Sequence, residues 1–123
     1  MPDRGASLDP DDAKIVVLAR TARLRAYAPH TGRQEGAAVR DTDGRTYVAG
    51  TVENVDDALT TSALRAAVVA AASSGARSFQ AAALVTPTPL VDERDLAVLR
   101  EFGRGVPVLV ADPNGTVLST VTS

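Results

Sequence analysis

Hydrophobic and polar positions along this chain follow two rhythms, one of helical period and one of short extended runs. Ile15, Leu18, Ala19, Ala22 and Ala26 recur at helical spacing, and the run Asp9-Pro10-Asp11-Asp12 ahead of them is a helix start: a capping acid, a proline for the first turn and carboxylates at the positive dipole end. A first helix is predicted, with one buried face, stopped near Tyr27 by Pro29 and Gly32. Residues 1–8 read as a frayed tail and residues 9–123 as one domain. Two short extended runs, 36–41 and 45–50, flank Thr42-Asp43-Gly44, and Asp-Gly between such runs predicts a hairpin. A polar loop over 53–57 leads to Thr60-Thr61-Ser62, any of which can cap an Ala-rich helix that ends at Gly75. The small side chains of Ala66, Ala67, Ala70 and Ala71 on that helix allow another backbone or a second subunit to approach closely. Phe79–Val85 is a continuous apolar run of the kind found in a central strand covered on both faces. Asp92-Glu93-Arg94-Asp95 then opens a third helix through Leu96, Leu99 and Phe102, and strands over 106–111 and 116–121 close the chain around an Asp-Pro-Asn-Gly turn. Helices alternating with strands predict an α/β fold, one sheet with helices on both faces.

Composition narrows the function classes. At 123 residues with 45% apolar content the chain is the size of one globular domain. Its 13 basic and 15 acidic residues are interspersed and leave a formal charge of -2, so no basic face is available for a phosphate backbone and nucleic acid is not an expected partner. The chain has no cysteine, which excludes disulfides and thiolate metal sites. No signal-like or membrane-length apolar run is present, so the expected location is cytoplasmic, without membrane association.

Several blocks carry a family resemblance. Ala26-Tyr27-Ala28-Pro29-His30-Thr31-Gly32-Arg33-Gln34-Glu35-Gly36-Ala37-Ala38 resembles the Ala-Tyr-x-Pro-Tyr-Ser-x-Phe-x-Val-Gly-Ala-Ala run of zinc-dependent cytidine deaminases. The Asp-Gly hairpin keeps its register, Thr51-Val52-Glu53-Asn54 is similar to the family's Asn-Val-Glu-Asn, and the segment from Leu99 to Phe102 matches its Leu-Arg-Glu-Phe. The resemblance spans about residues 20–120. It implies a three-layer cytidine deaminase-like fold with about five strands in a mixed sheet. It also implies a homo-oligomer, tetramer or dimer, with sites at subunit boundaries and a pyrimidine nucleoside as ligand.

The resemblance fails where the family does its chemistry. Relatives open the second helix with a zinc-binding Cys or His, then Ala, then a proton-shuttling Glu; the matching positions here are Ser62, Ala63 and Leu64. Their Pro-Cys-x-x-Cys falls on Val91-Asp92-Glu93-Arg94-Asp95, which puts Asp92 and Asp95 at the cysteine positions. Deamination at cytosine C4 needs a hydroxide near neutral pH, which zinc supplies by lowering the pKa of bound water from about 15.7 to roughly 7, and a Glu that moves protons. Leu64 cannot transfer a proton, and loss of general acid–base assistance alone removes about 10²- to 10⁴-fold in rate.

Two readings of the aspartates stand side by side. With Ser62 they could hold Mg or Mn, whose preference is for oxygen ligands; alternatively Asp92 and Asp95 cap the third helix by accepting backbone N–H bonds. Arg65 resembles the family arginine that lies against the ligand thiolates, and is expected to pair with Asp92 or Asp95 in place of the metal. Glu53 resembles the family's ribose-binding glutamate, whereas its partner Asn is replaced by Thr51 and the base-stacking aromatic by Arg33. Together with Asn54 these residues form the candidate nucleoside site, or else Glu53 and Asn54 satisfy loop backbone groups. His30, the only histidine, sits in a turn without the neighbours of a catalytic triad. The expected protein is therefore a zinc-free deaminase-like domain without deaminase activity, in a binding or structural role. The alternatives are a deaminase or related hydrolase using another metal or none, and a nucleoside-binding sensor.

Overall fold

A computed structural model describes residues 8–123. The tail expected over residues 1–8 lies outside the described residues except for Leu8, which packs part-buried against the core. Helix α1 (Pro10–Arg23) starts as its sequence dictates, with Asp9 Oδ1 accepting the Asp11 N–H at 2.8 Å. It ends four residues before Tyr27. Beyond Arg23 the chain tightens through the Leu24, Arg25 and Ala26 N–H groups, each bonded three residues back, and Tyr27 leaves the helix to bridge Val52. The buried face is Ile15, Val16, Ala19 and Ala22, so Val16 takes a core place that the periodicity gave to Leu18, which is only part-buried.

Strands β1 (Gly36–Asp41) and β2 (Thr46–Gly50) form the hairpin. Asp41 closes it: Oδ1 accepts from the Asp43 and Arg45 N–H groups, both at 2.9 Å, and Oδ2 from the Tyr47 hydroxyl at 3.2 Å. The chain then makes a short 3-10 turn, Asp57–Leu59, which no pattern announced, before helix α2 (Ala63–Ser73). Strand β3 (Phe79–Val85) leads to helix α3 (Glu93–Arg100), then to strands β4 (Pro107–Ala111) and β5 (Val117–Thr122). The third helix stops two residues short of the expected Phe102 because the chain turns there toward Gly103 at φ 145°.

The sheet order is β2-β1-β3-β4-β5, with β3 and β4 parallel and every other pair antiparallel. That is the five-stranded mixed sheet the resemblance implies. Side chains alternate across it: Ala38, Ala81, Ala83, Val85, Leu109 and Ala111 face α1. Ala37, Val39, Ala82, Leu84 and Val108 face α2 and α3. β3, buried at every position except Gln80, is covered on both faces. On α2, Ala67 and Ala71 are buried toward the sheet, whereas Ala70 is exposed. The α1 layer sits unusually close at one point. A Cβ on Gly36 would lie 2.1 Å from the Ala19 carbonyl oxygen and 2.3 Å from the Arg23 nitrogen, so only glycine fits there. No helix among the described residues is long and apolar enough to cross a membrane.

Candidate functional site

Helices α2 and α3 both begin at the same edge of the fold, and a cleft of about 220 Å³ opens between their first turns and the 27–35 segment. Ser62 is the N-cap of α2, its Oγ accepting the Arg65 N–H at 3.4 Å. Asp92 caps α3, its Oδ1 accepting the Arg94 N–H at 2.8 Å. One turn into α3, Asp95 is 5% exposed and reaches across to α2. There Asp95 Oδ1 accepts the Ser62 hydroxyl at 2.8 Å and the Arg65 Nη2 at 3.1 Å. Asp95 therefore does not take the second capping role that its position in the sequence suggested; its carboxylate ties two helix starts together. Asp92 turns outward to Arg94, with Nη2 to Oδ2 at 2.9 Å. The Arg94 side chain and N–H, with a smaller field from Arg65, hold the Asp92 carboxyl at about 2, below its ordinary value of 3.8. Leu64 is fully buried in the apolar cluster beneath α2 and does not line the cleft.

The other end of the cleft is built by the 27–35 segment and the stretch after β2. The two are stitched by Tyr27 N–H to the Thr51 carbonyl and Glu53 N–H to the Tyr27 carbonyl, both at 2.8 Å. Glu53, 7% exposed, is surrounded by donors. Oε1 accepts the His30 and Thr31 N–H groups at 2.9 and 3.1 Å, and Oε2 accepts the Thr31 hydroxyl. The Thr31 hydroxyl is the main cause, with the two N–H groups, of a Glu53 carboxyl held below its usual range despite burial. Thr51 exchanges bonds with the Glu35 backbone, and Arg33 reaches Glu35 Oε2 at 3.2 Å from an exposed position. Asn54 stands outside the cleft, where it accepts nothing from it and instead donates to the Leu59 carbonyl at 2.9 Å. His30 is exposed; its backbone N–H bonds Glu53 Oε1, and its ring adds the smallest of the effects that lower the Glu53 carboxyl.

Several cleft residues had no sequence signal. Glu35 accepts the hydroxyl of the buried Thr86 at 2.6 Å, a contact that joins residues 51 positions apart. Asp57, Thr60, Leu84 and Leu90 line the cleft only because the fold brings their segments together. Arg94 could have been found, since it lies two residues from Asp92 on an exposed first turn. In all, five carboxylates (Glu35, Glu53, Asp57, Asp92 and Asp95) meet three guanidinium groups (Arg33, Arg65 and Arg94) around the cleft, so the space is polar and slightly acidic.

The donors at the α2–α3 end do not fit a zinc ion. Zinc sites use Cys, His and carboxylate ligands, commonly four to an ion or three beside a water; the chain has no cysteine, and among the described residues no three His, Cys, Asp or Glu side chains converge. Of the two aspartates, Asp95 Oδ1 already carries two donors and both Asp92 oxygens carry Arg94. The same tally counts against Mg or Mn, which would need most of its ligands from those two side chains.

The architecture has close counterparts. The cytidine deaminase structure from Burkholderia pseudomallei superposes with a TM-score of 0.79 at 28% identity, covering 89% of each chain. The cytidine deaminase from Mycobacterium tuberculosis gives 0.75 at 32% identity, over 86% of this chain and 88% of that one. In sequence, a cytidine deaminase from Sporosarcina psychrophila is 33% identical over 119 residues, covering 92% of this chain and 86% of its own. The family profile described as Cytidine deaminase-like matches residues 8–115. By fold, by motif order and by sequence, the chain belongs to the cytidine deaminase-like family.

Proposed function

We propose that this member of the family holds no zinc, releases no ammonia from cytidine and acts in a binding or structural role within a homo-oligomer. The observation that carries the reading is the Ser62–Asp95–Arg65 cluster. At the positions where the resemblance implies two metal ligands and a supporting arginine, a hydroxyl and a guanidinium instead converge on one carboxylate oxygen at 2.8 and 3.1 Å. The cluster matches the buried charge, although Arg65 Nε is itself buried without a hydrogen-bond partner among the described residues, and no acid or base stands at Leu64, the position of the proton carrier. Exposed Leu90, which lines the cleft, and exposed Tyr27, Val55 and Leu59, on the segments that carry its other lining residues, favour burial against another subunit. A light-scattering mass equal to one chain at micromolar concentration would remove that part of the reading.

The test of the central reading is metal content and ammonia release on the same purified sample, with and without added zinc, magnesium or manganese. The expected result is zinc far below one ion per chain and no release of ammonia from cytidine above background. Stoichiometric zinc, or turnover with any of the three ions, overturns the proposal and leaves a deaminase with unusual ligands.

A second reading, retained nucleoside binding without turnover, is favoured by the cleft itself, which is open, polar and lined by Glu53, Thr51 and Arg33. A thermal-shift screen with cytidine and uridine separates it from a purely structural role, because a ligand at 100 times its dissociation constant adds about 2.7 kcal/mol.

A further inference from the structure

Far from the cleft, two reversals of the chain are built to one plan. In 41–45 the Asp41 N–H bonds the Arg45 carbonyl at 2.9 Å, the Gly44 N–H bonds the Asp41 carbonyl at 3.0 Å, and Asp41 Oδ1 accepts the N–H groups of Asp43 and Arg45. The turn between β4 and β5 repeats this. There the Asp112 N–H bonds the Thr116 carbonyl at 3.0 Å, the Gly115 N–H bonds the Asp112 carbonyl at 2.8 Å, and Asp112 Oδ1 accepts from Asn114 and Thr116 at 2.9 and 3.1 Å. Both glycines take positive φ, 86° at Gly44 and 87° at Gly115. The two turns differ in the residue before the glycine, Asp43 in one and Asn114 in the other. Only the asparagine carries a nitrogen that can leave.

We propose that Asn114 is a self-modification site, at which the chain loses ammonia by intramolecular deamidation, and that Asp112 sets the rate by holding the turn closed. The Gly115 nitrogen attacks Asn114 Cγ; the new N–Cγ bond forms, the Cγ–Nδ2 bond breaks, and the Gly115 proton leaves with the side-chain nitrogen as ammonia. A cyclic imide remains. Water then opens it at either carbonyl to leave aspartate or isoaspartate at position 114, so that one water is consumed, one ammonia is released, and no oxidant or reductant takes part. Asn114 is exposed, and Gly115 has no Cβ to hinder the attack. The chain's other asparagine, Asn54, is followed by the β-branched Val55 and has its amide nitrogen bonded to the Leu59 carbonyl at 2.9 Å. What restrains Asn114 is the turn itself: the attacking nitrogen has its proton engaged by the Asp112 carbonyl, and reaction proceeds from molecules in which the turn has opened. Isoaspartate adds a carbon to the backbone, so the closed turn does not re-form unchanged. The turn packs on α1, where a Cβ on Gly115 would lie 3.5 Å from Arg20 Cδ. The carboxylate gained therefore joins a surface that carries Arg20 and Arg23 beside Pro113.

The test follows tryptic fragments by mass spectrometry while the folded wild type, the wild type in guanidinium chloride, Asp112→Ala and Asn114→Gln stand in mildly basic buffer without cytidine. Trypsin places Asn114 in fragment 105–123 and Asn54 in fragment 46–65, so the two asparagines are read separately. The folded wild type should gain the mass of an amide exchanged for an acid in fragment 105–123 alone, with isoaspartate detected there by isoaspartyl methyltransferase labelling and one ammonia released per chain at completion. Asp112→Ala should react about tenfold faster, the scale of one hydrogen bond to a charged acceptor. The unfolded wild type should react at least as fast as that variant, and Asn114→Gln should show neither the mass gain nor the ammonia. Equal rates in the folded and unfolded wild type overturn the restraint by the turn, and this comparison holds even where Asp112→Ala fails to fold. Equal rates in the wild type and a folded Asp112→Ala overturn the role of Asp112. A fragment 105–123 that keeps its mass in the unfolded wild type, or a gain that comes first in fragment 46–65, overturns the site.

Discussion

The two ends of the cleft bury a carboxylate to nearly the same depth and satisfy it by different means. Asp95, 5% exposed, is matched by a cation and a hydroxyl from α2; Glu53, 7% exposed, is surrounded by two backbone N–H groups and one hydroxyl, with no cation in contact. At the helix end, charge answers charge between two rigid elements, so the members stand or fall together. At the turn end, neutral dipoles solvate the charge and the elements they belong to are a loop, so loss of a member loosens the loop and spares the core. A single cleft therefore has one wall fixed by electrostatics and one held by replaceable hydrogen bonds.

The contrast can be broken most forcefully at Leu64. Leu64→Glu restores a carboxylate at the proton-carrier position, but Leu64 is fully buried among apolar side chains, and an unpaired charge there is expected to cost about 3–5 kcal/mol in urea denaturation without restoring turnover. A stable, active Leu64→Glu protein would mean that this position faces the cleft after all. Next in size is Arg65→Ala, which leaves the buried Asp95 without its cation and should cost about 3 kcal/mol; Asp95→Ala should cost about 2, because Arg65 is one-third exposed and water can reach it. The double variant should be less destabilised than the two singles added, by about 1 kcal/mol or more, and simple additivity would dissolve the cluster as a unit.

Acid sharpens the comparison further. Asp92 sits at about 2 and Glu53 below its ordinary 4.5. With folded values depressed, the unfolded chain takes up protons first as the pH falls. Their contribution to stability is full above the ordinary carboxylate range and is lost on descending from about 4.5 through the folded values. The unfolding midpoint should hold steady down to about pH 5 and fall below it, less steeply in Glu53→Gln. The smallest effect is expected for Arg94→Ala, which removes an exposed partner of Asp92 and should change stability by at most about 1 kcal/mol.

The strands were written plainly in the sequence. Residues 36–41 and 79–85 appear in the structure with the bounds their patterns suggested, because alternation, an Asp-Gly turn and an apolar run bounded by Gly75 and Pro87 all act locally. The end of α1 was not so readable: the helix stops at Arg23 because Tyr27 is drawn to Val52 and Thr51, a contact across 25 positions. The same division runs through the cleft. Ser62 and Asp92 announce themselves as helix caps, since capping is a property of a few consecutive residues. That Arg65 meets Asp95, that Thr86 meets Glu35, and that Asp57 joins the lining depend on how α2, α3 and the turns are set against the sheet, which no short stretch encodes.

The bare contact at Gly36 bears on all of this. With the Ala19 and Arg23 backbone resting where a side chain would be, α1 and β1 meet atom to atom and cannot slide. The segment between them is therefore a span with both abutments clamped. Exposed side chains along it, Arg33 among them, can be exchanged in the course of divergence at little cost to the frame, whereas Glu35 is tied to the buried Thr86, and any give in this wall of the cleft is confined to the few residues at mid-span.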